Sequence, residues 1–162
     1  MKRLLLLRHG EAEPADVAAS DFARALTAHG RSEALEAAHR LRRAQCMPEL
    51  ILASPALRAR ETALIAAARL DCVQALQFES SAYPGSPQAL RGLIEAAPAE
   101  VETLLLVGHN PGLSVLAREL DAHTTPASEL PDLSTGELRR IELSGAGWSQ
   151  IDADVIRVTR LR

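Results

Sequence analysis

Four consecutive leucines, Leu4-Leu5-Leu6-Leu7, stop abruptly on Arg8-His9-Gly10. The run has no period-two alternation, so as a strand it must be buried on both faces, as central strands of parallel α/β sheets are. That is a severe constraint, because a doubly buried strand needs a cover of helices on each side. The pattern returns at Thr103-Leu104-Leu105-Leu106-Val107, which stops on Gly108-His109. Ligands of open α/β sheets bind beyond the carboxyl ends of the strands. If the two strands run parallel in one sheet, both imidazoles emerge on the same rim.

The rest of the chain supplies the covering layers. After a first strand over 2–7 and a polar loop over 11–21, Thr27 reads as the N-cap of a helix through about residue 44. Leu35, Ala38 and Leu41 share the inward face of that helix. Residues 50–53 are a second buried strand. Ser54-Pro55 and Asn110-Pro111 each read as a cap followed by proline at the first helical position, where the missing N–H costs nothing. Helices follow each of them, to about residues 69 and 120. Residues 73–78 form a short strand, 80–87 a turn-rich loop and 88–97 a helix stopped by Pro98. A loop is expected over 121–136, then strands over 137–143 and 155–158 around a turn at Gly145-Ala146-Gly147. This order predicts one domain over 1–162, an α/β chain folded as a three-layer α/β/α sandwich with a mostly parallel central sheet.

Composition removes several classes of function. The net charge of −3 and the scarcity of aromatics (Phe22, Phe78, Tyr83 and Trp148) argue against a nucleic-acid reader. Cys46 and Cys72 have neither the spacing nor the histidine neighbours of a zinc site and read as free thiols. The apolar run near the amino terminus is too short for a signal peptide, and no run approaches a membrane span. The expectation is a reduced, cytoplasmic, soluble protein that touches neither membrane nor nucleic acid and needs no cofactor.

The rim assembled by the two histidine-ended strands has the composition of a phosphate pocket. Two helix starts face it, and free N–H groups with positive dipole ends favour an anion. Arg58 lies one turn inside the helix opened by Ser54 and reaches back toward the same rim. A neutral imidazole is a good nucleophile for phosphorus, and covalent catalysis divides one hard displacement into two easier ones. Phosphoryl transfer asks the protein mainly for positioning and for charge on the equatorial oxygens. The planar fork of Arg serves that better than Lys. Neighbouring cations also disfavour the imidazolium and keep the nucleophile unprotonated. None of this calls for a metal.

Leu7-Arg8-His9-Gly10-Glu11, Ser54-Pro55-Ala56-Leu57-Arg58-Ala59-Arg60-Glu61-Thr62 and Val107-Gly108-His109-Asn110-Pro111-Gly112 resemble the motifs of the histidine phosphatase superfamily, which includes phosphoglycerate mutases and acid phosphatases. Arg24-Ala25-Leu26-Thr27-Ala28-His29-Gly30 and the short chain look specifically like SixA-type phosphohistidine phosphatases. The resemblance covers residue 1 to about 143. It implies a phosphoglycerate mutase-like fold and a metal-independent phosphatase. His9 would be the transiently phosphorylated nucleophile. Arg8 and Arg58 would clamp the phosphoryl oxygens, with His109 donating a hydrogen bond to them and Arg24 as a further phosphate-binding residue. Asn110 would cap the helix after His109.

One departure bears on the chemistry. Where SixA-like relatives show a Pro-Glu-Leu pattern, this chain has Ser80-Ser81-Ala82-Tyr83-Pro84, and Glu79 is displaced. Glu79 is the candidate general acid, with a plain surface carboxylate as the other reading. A phosphohistidine substrate relaxes the need for an acid, because its P–N bond is labile. The short stretch between the helix at Ser54 and the strand at Thr103 leaves no room for a lid subdomain. An open pocket suits a phosphorylated side chain on a protein partner, such as a histidine phosphotransfer domain, with the loop over 121–136 as the contacting rim. Two other functions stay open: a small-molecule phosphomonoesterase with the same nucleophile, and a phosphate-recognising binding module with little turnover. Tyr83 reads equally as a residue of the pocket mouth or a packing residue. His29, His39 and His123 read as surface residues.

Overall fold

The computed structural model describes residues 1–124 and 130–162. Six strands form one sheet in the order β3-β2-β4-β1-β5-β6, with β1 Lys2–Arg8, β2 Leu50–Ala53, β3 Leu76–Phe78, β4 Thr103–Gly108, β5 Leu138–Leu143 and β6 Val155–Leu161. The first four of these in chain order run parallel to one another, and β5 and β6 extend the sheet antiparallel. In register, Leu4 to Leu7 lie beside Leu104 to Val107.

The leucine run divides its side chains between two cores. Leu4 and Leu6 face one side, packed with Leu90 and Ile94 of α3 (Pro87–Glu95) and Leu113 and Leu116 of α4 (Gly112–Asp121). Leu5 and Leu7 face the other, against Ala37, Ala38 and Leu41 of α1 (Ala28–Arg43) and Ala59, Ala63 and Ala66 of α2 (Leu57–Arg69). The layered sandwich expected from the sequence is therefore the observed one. Thr27 caps α1 as expected, accepting from the Gly30 N–H.

Several expectations are corrected. Leu35 is 42% exposed, because the inward stripe of α1 runs along Ala34, Ala37, Ala38 and Leu41, and these small residues let the helix lie close to the sheet. The last strand continues to Leu161 beyond the expected 158, its ladder partners outweighing the arginines that mask its apolar pattern. The connection between β5 and β6 is more than a turn, since it carries buried Trp148 and Ile151 into the α3–α4 core. Of the loop expected over 121–136, Asp121 closes α4, and residues 125–129 lie outside the described residues.

Of the two proline-marked helices, α4 starts at Gly112 as expected but without Asn110 as its cap, and α2 starts later than Pro55. Ser54 directly follows β2, with its N–H on the Val107 carbonyl, and α2 begins at Leu57. Helix α4 begins at Gly112 with no side-chain cap. Asn110 instead donates its amide N–H to the Leu133 carbonyl (2.8 Å) and accepts from the Ser114 hydroxyl (2.7 Å). The region between α2 and β4 is spent on β3 and on α3, which packs on α4, as expected of a chain without a lid. Among the described residues, no helix is long and apolar enough to cross a membrane.

Candidate active site

The parallel register that sets Arg8 opposite Gly108 puts the next residues, His9 and His109, side by side at the carboxyl end of the sheet. Their ring centroids are 5.1 Å apart. Around them a cavity of about 370 Å³ is lined by Arg8, His9, Asp21, Arg24, Arg58, Tyr83, Pro84, His109 and Asn110. Five of the six residues singled out by the sequence as site candidates thus converge. The sixth, Glu79, does not line this cavity. It follows β3 with its backbone N–H on the Ala53 carbonyl (2.9 Å).

His9 is fixed at both ring nitrogens. Nδ1 lies 2.7 Å from the Gly10 carbonyl oxygen, which accepts hydrogen bonds only, so Nδ1 carries the proton and Nε2 keeps its lone pair. Arg58 donates its Nε–H to that Nε2 across 3.3 Å. Burial, and then the charges of Arg58, Arg8 and Arg24, push the His9 pKa down to about 4. The ring is a neutral, oriented nucleophile at neutral pH.

Where the chain leaves β1, Gly10 is required for a packing reason. A Cβ on it would collide with the Gly30 carbonyl oxygen. The two glycines let α1 press against the end of β1, and the Gly10 N–H is held by the Thr62 hydroxyl (3.0 Å). The nucleophile therefore stands on a backbone with little freedom to shift.

His109 is 5% exposed, and Nε2 lies 2.7 Å from the Ser54 hydroxyl. That hydroxyl already accepts the Ala56 N–H, so its own proton is available to the imidazole. A Ser54 hydroxyl that donates to Nε2 leaves the His109 proton on Nδ1, a buried atom with no partner among the described residues. Burial first, then proximity to His9 and Arg58, lowers the His109 pKa to about 3. A neutral ring with an unsatisfied N–H is a donor awaiting an oxygen.

Arg8 sends one terminal nitrogen to the Leu133 carbonyl (2.8 Å), while its buried Nε has no partner among the described residues. The segment carrying Leu133 is itself secured. Buried Arg139 bonds the Pro131 carbonyl and Glu137, Glu137 accepts the Ser134 N–H, and the Gly136 N–H reaches the carbonyls of Arg8 and His9.

The sequence does not single out Asp21. Its Oδ2 accepts from Arg58 (3.1 Å) and from the Tyr83 hydroxyl (2.8 Å), its Oδ1 accepts from Arg24 (3.0 Å), and its carbonyl takes a second Arg58 nitrogen (2.7 Å). Hydrogen bonds from Tyr83 and Arg24, with the nearby Arg58, hold its pKa down to about 2. Ser54 carries the pattern of a helix cap, which hides its bond to His109. Tyr83, open to two roles in the sequence, lines the mouth, its ring 5.6 Å from that of His109. The whole arrangement offers three guanidinium groups and an N–H donor to an anion, with one unprotonated imidazole nitrogen able to attack it.

Known proteins resemble this chain in sequence and in fold. Residues 4–80 match the model of the histidine phosphatase superfamily (branch 1). An uncharacterized protein of Picosynechococcus sp. is 36% identical over 118 residues, covering 72% of each chain. A candidate phosphohistidine phosphatase SixA from Nakamurella multipartitia superposes with a TM-score of 0.83 at 24% identity, covering 98% of this chain and 95% of that one. A second candidate phosphohistidine phosphatase SixA, from Agrobacterium tumefaciens, gives a TM-score of 0.75 at 27% identity over 88% and 92%. The chain belongs to the histidine phosphatase superfamily.

Proposed function

We propose that this protein is a phosphohistidine phosphatase that acts on a phosphorylated histidine of a protein partner, such as a histidine phosphotransfer domain, through a covalent intermediate on His9. Nε2 of His9 attacks phosphorus, the P–N bond to the substrate imidazole breaks, and the electron pair stays with that nitrogen. Arg8, Arg24 and Arg58 balance charge on the phosphoryl oxygens, and Nδ1–H of His109 donates to one of them. Water then attacks the phosphorylated His9, releasing inorganic phosphate and regenerating Nε2.

The observation that carries this reading is the missing proton donor. Among the described residues lining the pocket, Asp21 is the one carboxylate, and it is held ionised. An alkoxide needs a proton as it leaves, whereas a protonated phosphoimidazole departs as neutral imidazole. The two similar SixA structures carry the name of that activity. The open cavity, with no lid over it, suits a side chain projecting from a folded partner.

The test incubates the protein, with and without chelator, with a phosphohistidine-bearing phosphotransfer domain and with a panel of sugar phosphates and nucleotides. Expected is turnover of the phosphohistidine domain that chelator leaves unchanged and that His9→Ala lowers by ~10³-fold or more. Fast turnover of the small phosphomonoesters with none of the domain overturns the reading. Binding of phosphate without turnover of anything assigns a recognition module instead.

A further inference from the structure

Imidazole leaves phosphorus well only when the ring nitrogen away from phosphorus bears a proton, since otherwise the departing species is an imidazolate. The enzyme's own phosphorylated His9 meets this condition structurally, because Nδ1–H is held by the Gly10 carbonyl. The second half-reaction therefore expels a neutral ring. The first half-reaction needs an equivalent acceptor on the opposite side of the phosphoryl group, facing the substrate's ring.

Asp21 lies across Arg58 from His9. The guanidinium of Arg58 spans from His9 Nε2 at its Nε to the Asp21 carboxylate at a terminal nitrogen. A phosphoryl group seated on this guanidinium in line with Nε2 turns its leaving group away from His9 and toward Asp21. The Asp21 side chain is 50% exposed, so a ring carried by a partner can approach it. Its capacity is not exhausted: Oδ2 accepts from Arg58 and Tyr83, but Oδ1 accepts from Arg24 alone. Phe22, 42% exposed and edge-on to Tyr83, offers an apolar face next to the residue that shares Oδ2 with Arg58.

We propose that Asp21 is a catalytic residue: its carboxylate accepts a hydrogen bond from the distal ring N–H of the substrate phosphohistidine and keeps that ring in the protonated form that leaves as neutral imidazole. This rests on the phosphohistidine reading of the pocket. In the step, the His9 Nε2 lone pair forms the new P–N bond, the old P–N pair returns to the substrate ring, and the distal proton never moves. Asp21 is thus an orienting acceptor, in the way a buried Asp holds the imidazole of a serine hydrolase, rather than the missing general acid. Such a part needs an ionised carboxylate throughout the neutral range, which Tyr83, Arg24 and Arg58 provide from three sides, with His109 the other titratable group nearby.

The experiment compares wild-type and Asp21→Asn proteins on phosphoimidazole and on p-nitrophenyl phosphate, whose phenolate departs without a proton. Asparagine keeps an oxygen for Arg58 and Tyr83 but loses the charge. Expected is a loss of kcat on phosphoimidazole about tenfold or more beyond any loss on p-nitrophenyl phosphate. The alkaline limb of the phosphoimidazole pH profile moves to lower pH, because the bound ring no longer has a carboxylate to retain its proton. Asp21→Glu recovers part of both effects. Equal losses on the two substrates with an unmoved alkaline limb overturn the inference and leave Asp21 as a positioning residue for Arg58, the phosphohistidine reading still standing. Wild-type protein that cleaves p-nitrophenyl phosphate but no phosphoimidazole overturns both. Circular dichroism confirms that each variant is folded, and the Asn and Glu variants give two independent readouts.

Discussion

Nε of Arg58 lies 3.3 Å from Nε2 of His9, so the lone pair of the proposed nucleophile is engaged by the cation proposed to hold the phosphoryl group. Arg58 is 6% exposed and its terminal nitrogens are both taken by Asp21. One planar group thus joins the imidazole of His9 to the carboxylate of Asp21.

Replacing Arg58 should therefore do more harm than loss of one charge. Lysine retains the charge but has a single point donor with no fixed plane. For Arg58→Lys we expect kcat/KM to fall by about 10²–10³-fold, in the range found when one preorganised donor is lost. Steady-state kinetics on a phosphohistidine substrate measures this, and a loss under tenfold would show that the fork geometry is not needed.

Protonation should reveal itself at unusually low pH. His9 titrates at about 4 and His109 at about 3, both well under 6.5. The acid limb of kcat/KM, which reports the free enzyme, is expected near pH 4 instead of near 6.5. Folding stability follows the same shifts. Both rings are neutral in the folded and unfolded chains above 6.5. Below it the unfolded chain takes up protons that the folded one refuses, so stability falls as pH drops from 6.5 toward 4. The slope is roughly 1.4 kcal/mol per pH unit for each histidine. Urea midpoints across that window, with His109→Gln removing its own share, test both sign and size.

Ser54 gives a sharper test of the second histidine. If its hydroxyl sets the tautomer that puts the proton on Nδ1 of His109, Ser54→Ala frees the ring to protonate Nε2 and turn a lone pair toward the anion. We expect kcat/KM to drop about tenfold, near the value of one hydrogen bond, with melting temperature shifted by only a few degrees. A loss confined to stability would make Ser54 a strand-end residue and nothing more.

The framework of this site is legible because its signals are local. A run of leucines can be buried on both faces only in a covered sheet, and the histidines sit one residue beyond such runs. Asp21 is illegible for the opposite reason. Its partners Arg24, Arg58 and Tyr83 come from three parts of the chain, and Ser20-Asp21-Phe22 alone is an ordinary polar loop. Ser54 misleads because a serine before proline satisfies the capping pattern, while its hydroxyl meets His109, just beyond the end of β4. Glu79 stands out by sequence position, but the turn over Ser80–Ala82 brings Tyr83 and Pro84 to the cavity instead.

The glycines separate what is structural from what is permissive. A Cβ on Gly10 would overlap the Gly30 carbonyl oxygen, and backbone cannot swing aside as a side chain can. Gly10→Ala must push α1 from the end of β1 or tilt His9, so we expect a loss of about 1–3 kcal/mol, as for overpacked cores, together with most of the activity. Gly92 is the internal control. It lies exposed within α3, and a methyl group added there would meet nothing within 4 Å, so Gly92→Ala should raise stability by about 0.5–1 kcal/mol. Denaturant titration of both variants measures the contrast. If Gly10→Ala is as benign as Gly92→Ala, the close approach of α1 is not what holds the nucleophile in place.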